Sequence, residues 1–525
     1  MESASVPTPG VPASTSSNAG GAQQGDKGLK AGALGYLSNL VIGVASTAPG
    51  YSLAATLGFV VAVAGMGLHA PAVMIVSFVP MLLIAAAYNY MNKADPDCGT
   101  SFTWVTRAMG PRLGWLTGWA IVVADIVVMA TLAYIAGTYT FLLFGLDSAA
   151  ANLLDVSIAA AIWIAVMTWI CYRGIELSAR IQYFLLAAEI LTLALFAVVA
   201  LFKVYISGAP ADSIHIGLDW FNPFNLPGGT TALIDGVLLG VFIYWGWDSG
   251  VVVNEESKDS ANGPGKAAVM STVLLVLIYV VVATAAQAYH GPDFLIANAE
   301  DVLSALGSDV LGSPLDKLLI IAVLTSASAS TQTTILPTAR TTLSMARFKS
   351  APKKLGDIHP RYLTPATSTL LMGAVSLAWT LFIINISTNV LADSITGLGF
   401  QIAFYYGLTG FACTIYYRKE IFKSVKNFIM VGVAPLLGGL MLTGIFIKAF
   451  SDYNTTSTEV NYTGGVFGIG TPVAIGIGLL LLGVVVMLFA QFAYPSFFKR
   501  KREVADPGIL EGTVIGKASV MEDPE

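Results

Sequence analysis

A carboxylate stands in the middle of an apolar run of membrane length, Ile121-Val-Val-Ala-Asp125-Ile-Val-Val-Met-Ala130. Placing a charge at that depth costs ~2.5–3.5 kcal/mol on insertion scales, so such residues face a bundle interior or a water-filled path. Three other acids interrupt apolar runs: Glu189, Asp235 and Asp248. A buried carboxylate can do two kinds of chemistry without a cofactor. It can partner an ammonium group through a charge-assisted hydrogen bond, or take up and return a proton. Asp125 and Asp248 suit the first role. Glu189, in Leu185-Leu-Ala-Ala-Glu189-Ile-Leu191, suits the second. Each also has a structural reading, in which Asp125 caps or pairs with a neighbouring helix and Asp248 satisfies backbone donors freed at a helix break.

The elements that must position these acids are membrane helices. Of 525 residues, 55% are hydrophobic and 11% charged, and the mean hydropathy is +0.73. Runs of 18 or more apolar residues mark membrane spans. About twelve occur, near 33–64, 70–90, 113–143, 156–172, 181–206, 231–254, 267–289, 316–342, 366–387, 391–417, 428–450 and 470–494. The expected fold class is an all-α integral membrane protein with one polytopic domain over 29–498. Residues 1–28, rich in Ser, Ala, Pro, Gly and Gln, read as a disordered tail, without the basic start and short apolar core of a secretory signal. Residues 499–525 read as a second polar tail. Asn385, Asn454 and Asn461 open Asn-x-Ser/Thr triplets that arise often by chance.

Several function classes fall away. Three distant cysteines, Cys98, Cys171 and Cys413, have no metal-ligand spacing and read as free thiols. Four histidines and no nucleophile motif argue against an enzyme. The absence of a Gly-rich phosphate loop argues against an ATP-driven pump, and a pI near 5.5 against nucleic-acid binding. The expected partners are a small-molecule solute and the lipid bilayer, and no cofactor is expected.

Lys and Arg crowd alternate loops: Lys93, Arg107 and Arg112; Arg173 and Arg180; Lys258 and Lys266; Arg347 to Arg361; Arg418 to Lys426; and Lys499-Arg-Lys-Arg502 after the last span. The intervening loops hold Asp147, Asp155, Asp212, Asp219, Asp293, Glu300, Asp301 and Asp309. The positive-inside rule puts both termini in the cytoplasm, which agrees with an even number of spans.

Two spans are interrupted. The first reads Leu40-Val-Ile-Gly43-Val-Ala-Ser46-Thr47-Ala-Pro49-Gly50-Tyr51, and the sixth Val241-Phe-Ile-Tyr244-Trp245-Gly246-Trp247-Asp248-Ser249-Gly250. Pro removes a backbone donor and Gly adds freedom, so hydrogen bonds are lost at mid-membrane depth. Breaks in the first and sixth spans open two five-helix halves, the sequence sign of a binding site in a transporter with inverted repeats. Candidate contacts are Ser46, Thr47 and Gly50 at the first break and Tyr244, Trp245, Trp247 and Asp248 at the sixth. The aromatic residues there could form a cation–π wall worth ~0.5–2 kcal/mol.

The stretch Pro96-Asp-Cys98-Gly99-Thr100-Ser-Phe102-Thr-Trp104, continuing to Gly110-Pro111-Arg-Leu-Gly114-Trp115-Leu-Thr-Gly118-Trp119, resembles the P-x-x-G-G-x-Y-x-[YW]-x(5)-G-P-x-x-G-[FW]-x-x-G-W pattern of amino acid–polyamine–organocation (APC) transporters. Thr100 and Phe102 depart from its usual Gly and Tyr. Gly246-Trp247-Asp248 with Asn254-Glu255-Glu256-Ser257-Lys258-Asp259 is similar to that family's G-F-D…E-E-x-K-N, and Gly174-Ile-Glu176-Leu-Ser178-Ala179-Arg180 to its G-x-K-x-S-[AG]-R. The resemblance runs from about 32 to 495. It implies a LeuT-like core of ten helices in a 5+5 inverted repeat, about 31–418, with two peripheral helices at about 426–495. It places the substrate between helices 1, 3, 6, 8 and 10, which adds Tyr405 as a candidate contact. Glu189 aligns with the position of a buried Lys in some proton-coupled relatives. A sodium site would instead draw on helix 8 hydroxyls such as Ser326 and Ser330. Amino-acid carriers of the family grip the substrate carboxylate with a G-x-G at the first break. Here Ser46-Thr47-Ala48-Pro49-Gly50 replaces it, which weakens that grip.

The expected function is therefore a plasma-membrane secondary carrier of amines, polyamines or cationic amino acids, working by alternating access and coupled to H+ or, alternatively, Na+. A neutral amino-acid permease is the runner-up. A channel, with polar residues along a continuous pore, is the rival class. The orientation is directly testable in intact cells: a cysteine placed at Ala299 should label with a membrane-impermeant thiol reagent while Cys98 resists, and prompt labelling of Cys98 would reverse the topology.

Overall fold

In lipid every backbone polar group must find an internal partner, so long apolar segments become helices. The computed structural model describes residues 27–386, 390–453, 465–466, 469–505 and 510. Among these, eleven helices are long and apolar enough to cross a membrane. The twelfth apolar segment is the interrupted one: Gly229–Ile243 is helical, the chain unwinds, and Ser249–Val252 resumes. Strand content among the described residues is one two-residue hairpin, Gly465–Val466 against Ile469–Gly470. The fold is all-α, as the apolar runs require.

The first span is broken as well. Tyr36–Ser46 ends at Thr47 and the helix restarts as Pro49–Ala62. Ala48 between them is left-handed, at φ 47°, and Pro49 begins the new helix where its missing N–H is harmless. The two breaks lie against each other. A Cβ on Gly246, whose φ is 118°, would sit 2.7 Å from the Ser46 carbonyl oxygen, and one on Gly250 would sit 2.5 Å from that of Asn39. Only glycine permits so close a backbone approach.

Burial sorts the spans. In the most apolar 18-residue stretch of each, the share buried is 94% for the first, 83% for the third (Pro111–Leu143), 78% for the eighth (Lys317–Arg347) and 72% for the tenth (Val390–Tyr416), against 28% for the twelfth (Thr471–Ala493). The first, third, eighth and tenth spans, with the unwound part of the sixth, therefore form the centre. Phe489 and Phe492 of the twelfth are 71% and 86% exposed, a lipid-facing surface.

One end of the bundle gathers the basic loops, and there the buried cations are matched to carboxylates. Arg340 Nε and Nη2 donate to Glu256 Oε2 and Oε1 at 2.6 and 2.9 Å, both side chains being almost fully buried. Arg107 lies 2.6 Å from Asp95 and 2.9 Å from Glu503. Lys27 Nζ lies 2.7 Å from both Asp97 and Glu255. Burial opposes the charge of Asp97, yet the Lys27 ammonium and the Gly99 N–H hold its carboxyl below the ordinary range. Leu34 N–H donates to the Glu256 carbonyl at 3.0 Å, and Lys258 N–H to the Leu34 carbonyl at 2.8 Å.

These contacts move the tail boundaries inferred from composition. Lys27 and Gly28 belong to the folded domain because Lys27 completes a buried ion pair. Glu503 and Ala505 are also docked, their amides donating to the Arg107 and Tyr416 carbonyls at 2.7 and 3.0 Å. Residues 1–26 and 511–525, with Asn454 and Asn461, lie outside the described residues. Asn385 is near the end of the ninth span, its amide donating to the Leu381 carbonyl.

The same network changes how the topology test must be read. Cys98 is fully buried with its Sγ 3.6 Å from Lys27 Nζ, so it would resist labelling in either orientation. Lys354, exposed at the same end, is the discriminating position: Lys354→Cys should react only after the membrane is permeabilised. A second expectation concerns stability. Arg340→Met leaves Glu256 buried and unpaired, which should destabilise by about 3–5 kcal/mol. Melting in detergent should show that loss, and Arg340→Met with Glu256→Gln should recover most of it. Equal melting of the single variant and the parent protein would refute it.

Candidate functional site

A four-residue spacing on the eighth span builds the site. Ser326, Ser330, Thr334 and Thr338 share one face of the Lys317–Arg347 helix. Ser326 Oγ donates to Glu189 Oε1 at 2.8 Å, and Ser330 Oγ to the Ser46 carbonyl at 2.8 Å. Thr334 lines a cavity, and Thr338 Oγ1 donates to Asp125 Oδ2 at 3.0 Å.

That cavity lies between the two breaks and the third, eighth and tenth spans. Of the residues singled out in the sequence, Ser46, Thr47, Asp125, Trp245, Asp248, Ser330 and Tyr405 line it. Its volume is ≈ 20 Å³, room for about one water. Asp125 and Asp248 are 4% and 5% exposed. Asp248 accepts from three tyrosine hydroxyls: Tyr406 at 2.9 Å, Tyr405 at 3.3 Å and Tyr88 at 3.4 Å. Trp245 Nε1–H in turn donates to the Tyr405 hydroxyl, closing one side of the cavity with an aromatic pair. Both acids are thus held by hydroxyls, and neither has a cationic partner among the described residues. Ser46 Oγ meets Ser249 Oγ at 2.8 Å. Thr47 Oγ1 turns back to the Val44 carbonyl at 2.7 Å.

Five of the candidates do not line the cavity. Tyr244 sends its hydroxyl to the Met74 carbonyl at 3.0 Å, and its ring packs edge-on to Tyr279 at 5.0 Å. Trp247 packs on Tyr88 at 4.9 Å and Tyr406 at 5.1 Å. The unwound segment turns Trp245 and Asp248 toward the cavity and those two rings toward the second, seventh and tenth spans. The expected three-ring wall is therefore Trp245 alone. Gly50, Glu189 and Ser326 sit together behind the first break. The Pro49–Ala62 helix has no side-chain cap of its own. Glu189 supplies one from the fifth span (Ile175–Tyr205), its Oε1 accepting the Gly50 N–H at 2.6 Å, while Tyr51 N–H donates to Ser326 Oγ at 3.0 Å. A carboxylate suits the positive end of a helix. Glu189 Oε2 has no hydrogen-bond partner among the described residues.

Some lining residues escaped the sequence reading. Tyr51, Ser52, Phe242 and Thr334 all face the cavity. The period of four through Ser326, Ser330, Thr334 and Thr338 was the available signal for the last. Tyr88 and Tyr406, which hold Asp248, are distant in sequence and offered none.

The sequence profile of a family described as amino acid permease matches residues 34–472. An uncharacterised transporter of Mycobacterium tuberculosis is 28% identical over 358 residues, 66% of this chain and 72% of its own. The low-affinity putrescine importer PlaP of Escherichia coli is 19% identical over 381 residues, covering 72% and 81%. The branched-chain amino acid permease BcaP of Lactococcus lactis is 24% identical over 304 residues, covering 56% and 64%. With the profile spanning both breaks and every residue that lines the cavity, the chain belongs to the amino acid permease family of APC transporters.

Proposed function

We propose that this permease is a secondary active carrier of amines, polyamines or cationic amino acids, working by alternating access and coupled to protons. Its basic end and both termini face the cytoplasm of the plasma membrane. The observation that carries this reading is the pair of carboxyl groups in the cavity. Asp125 and Asp248 both line it, and no Lys, Arg or His does among the described lining residues. Carboxylates held there by hydroxyls alone favour a solute that brings its own positive charge. An ammonium group would gain charge-assisted hydrogen bonds from them and a cation–π contact with Trp245.

A second observation ranks simple amines ahead of amino acids. The Gly50 and Tyr51 amides at the first break, where an amino acid's carboxylate would be expected to bind, are already taken by Glu189 and Ser326. The chain's own carboxylate fills that role. A neutral amino acid, the runner-up that the likeness to BcaP keeps in view, would have to displace Glu189 from Gly50. The likeness to PlaP agrees with the amine reading.

Alternating access is supported by the two breaks packed together and by the cavity's size, since a solute larger than water requires the Trp245–Tyr405 pair to part. A continuous pore is disfavoured by the ion pairs of Lys27, Arg107 and Arg340 at the basic end. Glu189 is the proton-coupling residue in this scheme. It links the fifth, first and eighth spans through one carboxylate, and taking up a proton removes the charge that holds the Gly50 N–H.

A thermal-shift screen of the purified protein against polyamines, small amines and amino acids should show its largest rise with an amine. Asp125→Asn keeps the shape and removes the charge. With a charge-assisted bond worth ~1.5–3 kcal/mol lost, affinity for the best amine should fall roughly tenfold to a hundredfold, and for neutral competitors far less. Unchanged amine affinity in a folded Asp125→Asn protein would sink the amine reading. In proteoliposomes, uptake should follow an inward proton gradient in sodium-free buffer, and Glu189→Gln should lose concentrative uptake more than exchange. Strict sodium dependence would instead assign coupling to the eighth-span hydroxyls.

A further inference from the structure

A second cavity, of ≈ 290 Å³, lies at the basic end where the fourth and fifth spans meet the loop that follows the eighth. Lys30, Arg173, Arg180 and Arg361 line it, against a single acid, Glu176. Lys30 pairs with Glu176 at 2.8 Å. Among the described residues no carboxylate lies within 4.0 Å of the three arginines. All three are exposed, and Arg173 and Arg361 lie against aromatic rings. The Arg173 guanidinium sits 5.0 Å from the Trp169 ring and 5.2 Å from Tyr362, and that of Arg361 sits 5.6 Å from Tyr362. Arginine presents a planar fork of N–H donors that matches phosphate geometry. Here two such forks, those of Arg173 and Arg361, lie against aromatic rings, and no carboxylate meets them among the described residues.

The depth of the cavity says which anion fits. Arg173 is the last residue of the fourth span (Leu153–Arg173) and Ile175 the first of the fifth, so the cavity opens where helices leave the hydrocarbon. Around it Trp169, Leu177 and Phe184 are 53%, 39% and 75% exposed. An amphipathic ring such as Trp belongs at headgroup level, and the exposed apolar side chains offer a surface for acyl chains. The segment Gly174-Ile-Glu176-Leu-Ser178-Ala179-Arg180, which the central site does not use, supplies half of this wall.

We propose that this cavity binds the phosphate headgroup of an anionic membrane phospholipid, with Arg173, Arg180 and Arg361 as its donors and Lys30 as a further cation. Basic pockets between membrane helices are suited to such headgroups. The bound lipid joins three segments: the N-terminal arm at Lys30, the link between the fourth and fifth spans, and the loop after the eighth. That arm also carries Lys27, so the lipid holds the ion-paired end of the bundle in place.

The test uses the full chain, reconstituted in phosphatidylcholine nanodiscs with and without phosphatidylglycerol, and native mass spectrometry to count the lipid retained after extraction. Arg173→Gln with Arg361→Gln should lower retention of phosphatidylglycerol by about twenty-five-fold, since each basic group near a membrane surface is worth about a fivefold change. Lys353→Gln with Lys354→Gln removes the same charge from the same loop, outside the cavity, and should leave retention near that of the parent protein. Glu176→Gln, which removes the acid from the cavity wall, should raise retention, so a loss caused by misfolding is distinguishable from a loss of binding. Equal retention in the arginine pair and the parent, or an equal fall in the lysine pair, overturns the site. Inorganic phosphate added to the delipidated protein should neither raise its melting temperature nor displace the lipid. Stabilisation by phosphate equal to that by phosphatidylglycerol would assign the cavity to a soluble anion and overturn the lipid.

Discussion

A helix interrupted at the middle of a membrane leaves N–H and C=O groups that lipid cannot satisfy, and the centre of this bundle is organised by how those groups are met. At the first break Gly50 N–H goes to Glu189 of the fifth span, and Tyr51 N–H to Ser326 of the eighth. The Ser46 carbonyl is met by Ser330, and that of Thr47 by Ser52. At the sixth-span break the Ile243 carbonyl accepts the Tyr279 hydroxyl of the seventh span at 2.7 Å. Two local defects therefore bind the first, fifth, sixth, seventh and eighth spans to one another. An unmet group at any of these points would cost about as much as a whole buried hydrogen bond, so the breaks persist only with these neighbours in place.

Charge is treated differently at the two levels of the bundle. At the basic end Arg340, Arg107 and Lys27 each face a buried carboxylate, with additional donors completing the pairs. Buried pairs of this kind need good geometry to offset desolvation, and the two short contacts between Arg340 and Glu256 provide it. In the central cavity the two acids meet hydroxyls and no cation among the described residues: Thr338 for Asp125, and Tyr88, Tyr405 and Tyr406 for Asp248. One level is electrostatically complete and holds the fold. The other holds two carboxyl groups that have no cationic partner among the described residues.

The aromatic residues show why the same residue type serves two ends. Trp245 and Trp247 are two positions apart and both are almost fully buried. Trp245 lines the cavity and donates to Tyr405, while Trp247 stacks on Tyr406. The unwound backbone between Ile243 and Ser249 gives up helical periodicity, so neighbouring side chains point to different spans. Packing against the second, seventh and tenth spans holds Tyr244 and Trp247 away from the cavity that Trp245 lines.

Sequence alone determined what depends on local physics. Apolar runs of sufficient length must span and must be helical, so the spans and the all-α fold were legible. Pro49-Gly50 and Gly246 through Gly250 betrayed the breaks because they remove or loosen local hydrogen bonds, and Asp125 and Asp248 stood out because an isolated acid in lipid is costly. The partners of these groups were not legible. Glu189 reaches Gly50 across 139 residues, Asp248 is held by tyrosines 158 and 160 positions away, and Lys27, in a segment whose composition suggests a tail, is buried by an ion pair with Asp97. Such pairings are set by which helix faces meet, and no local pattern encodes that. The tertiary structure alone decided that Glu189 caps a broken helix, that Tyr244 and Trp247 pack on neighbouring rings outside the cavity, and that two acids share one cavity.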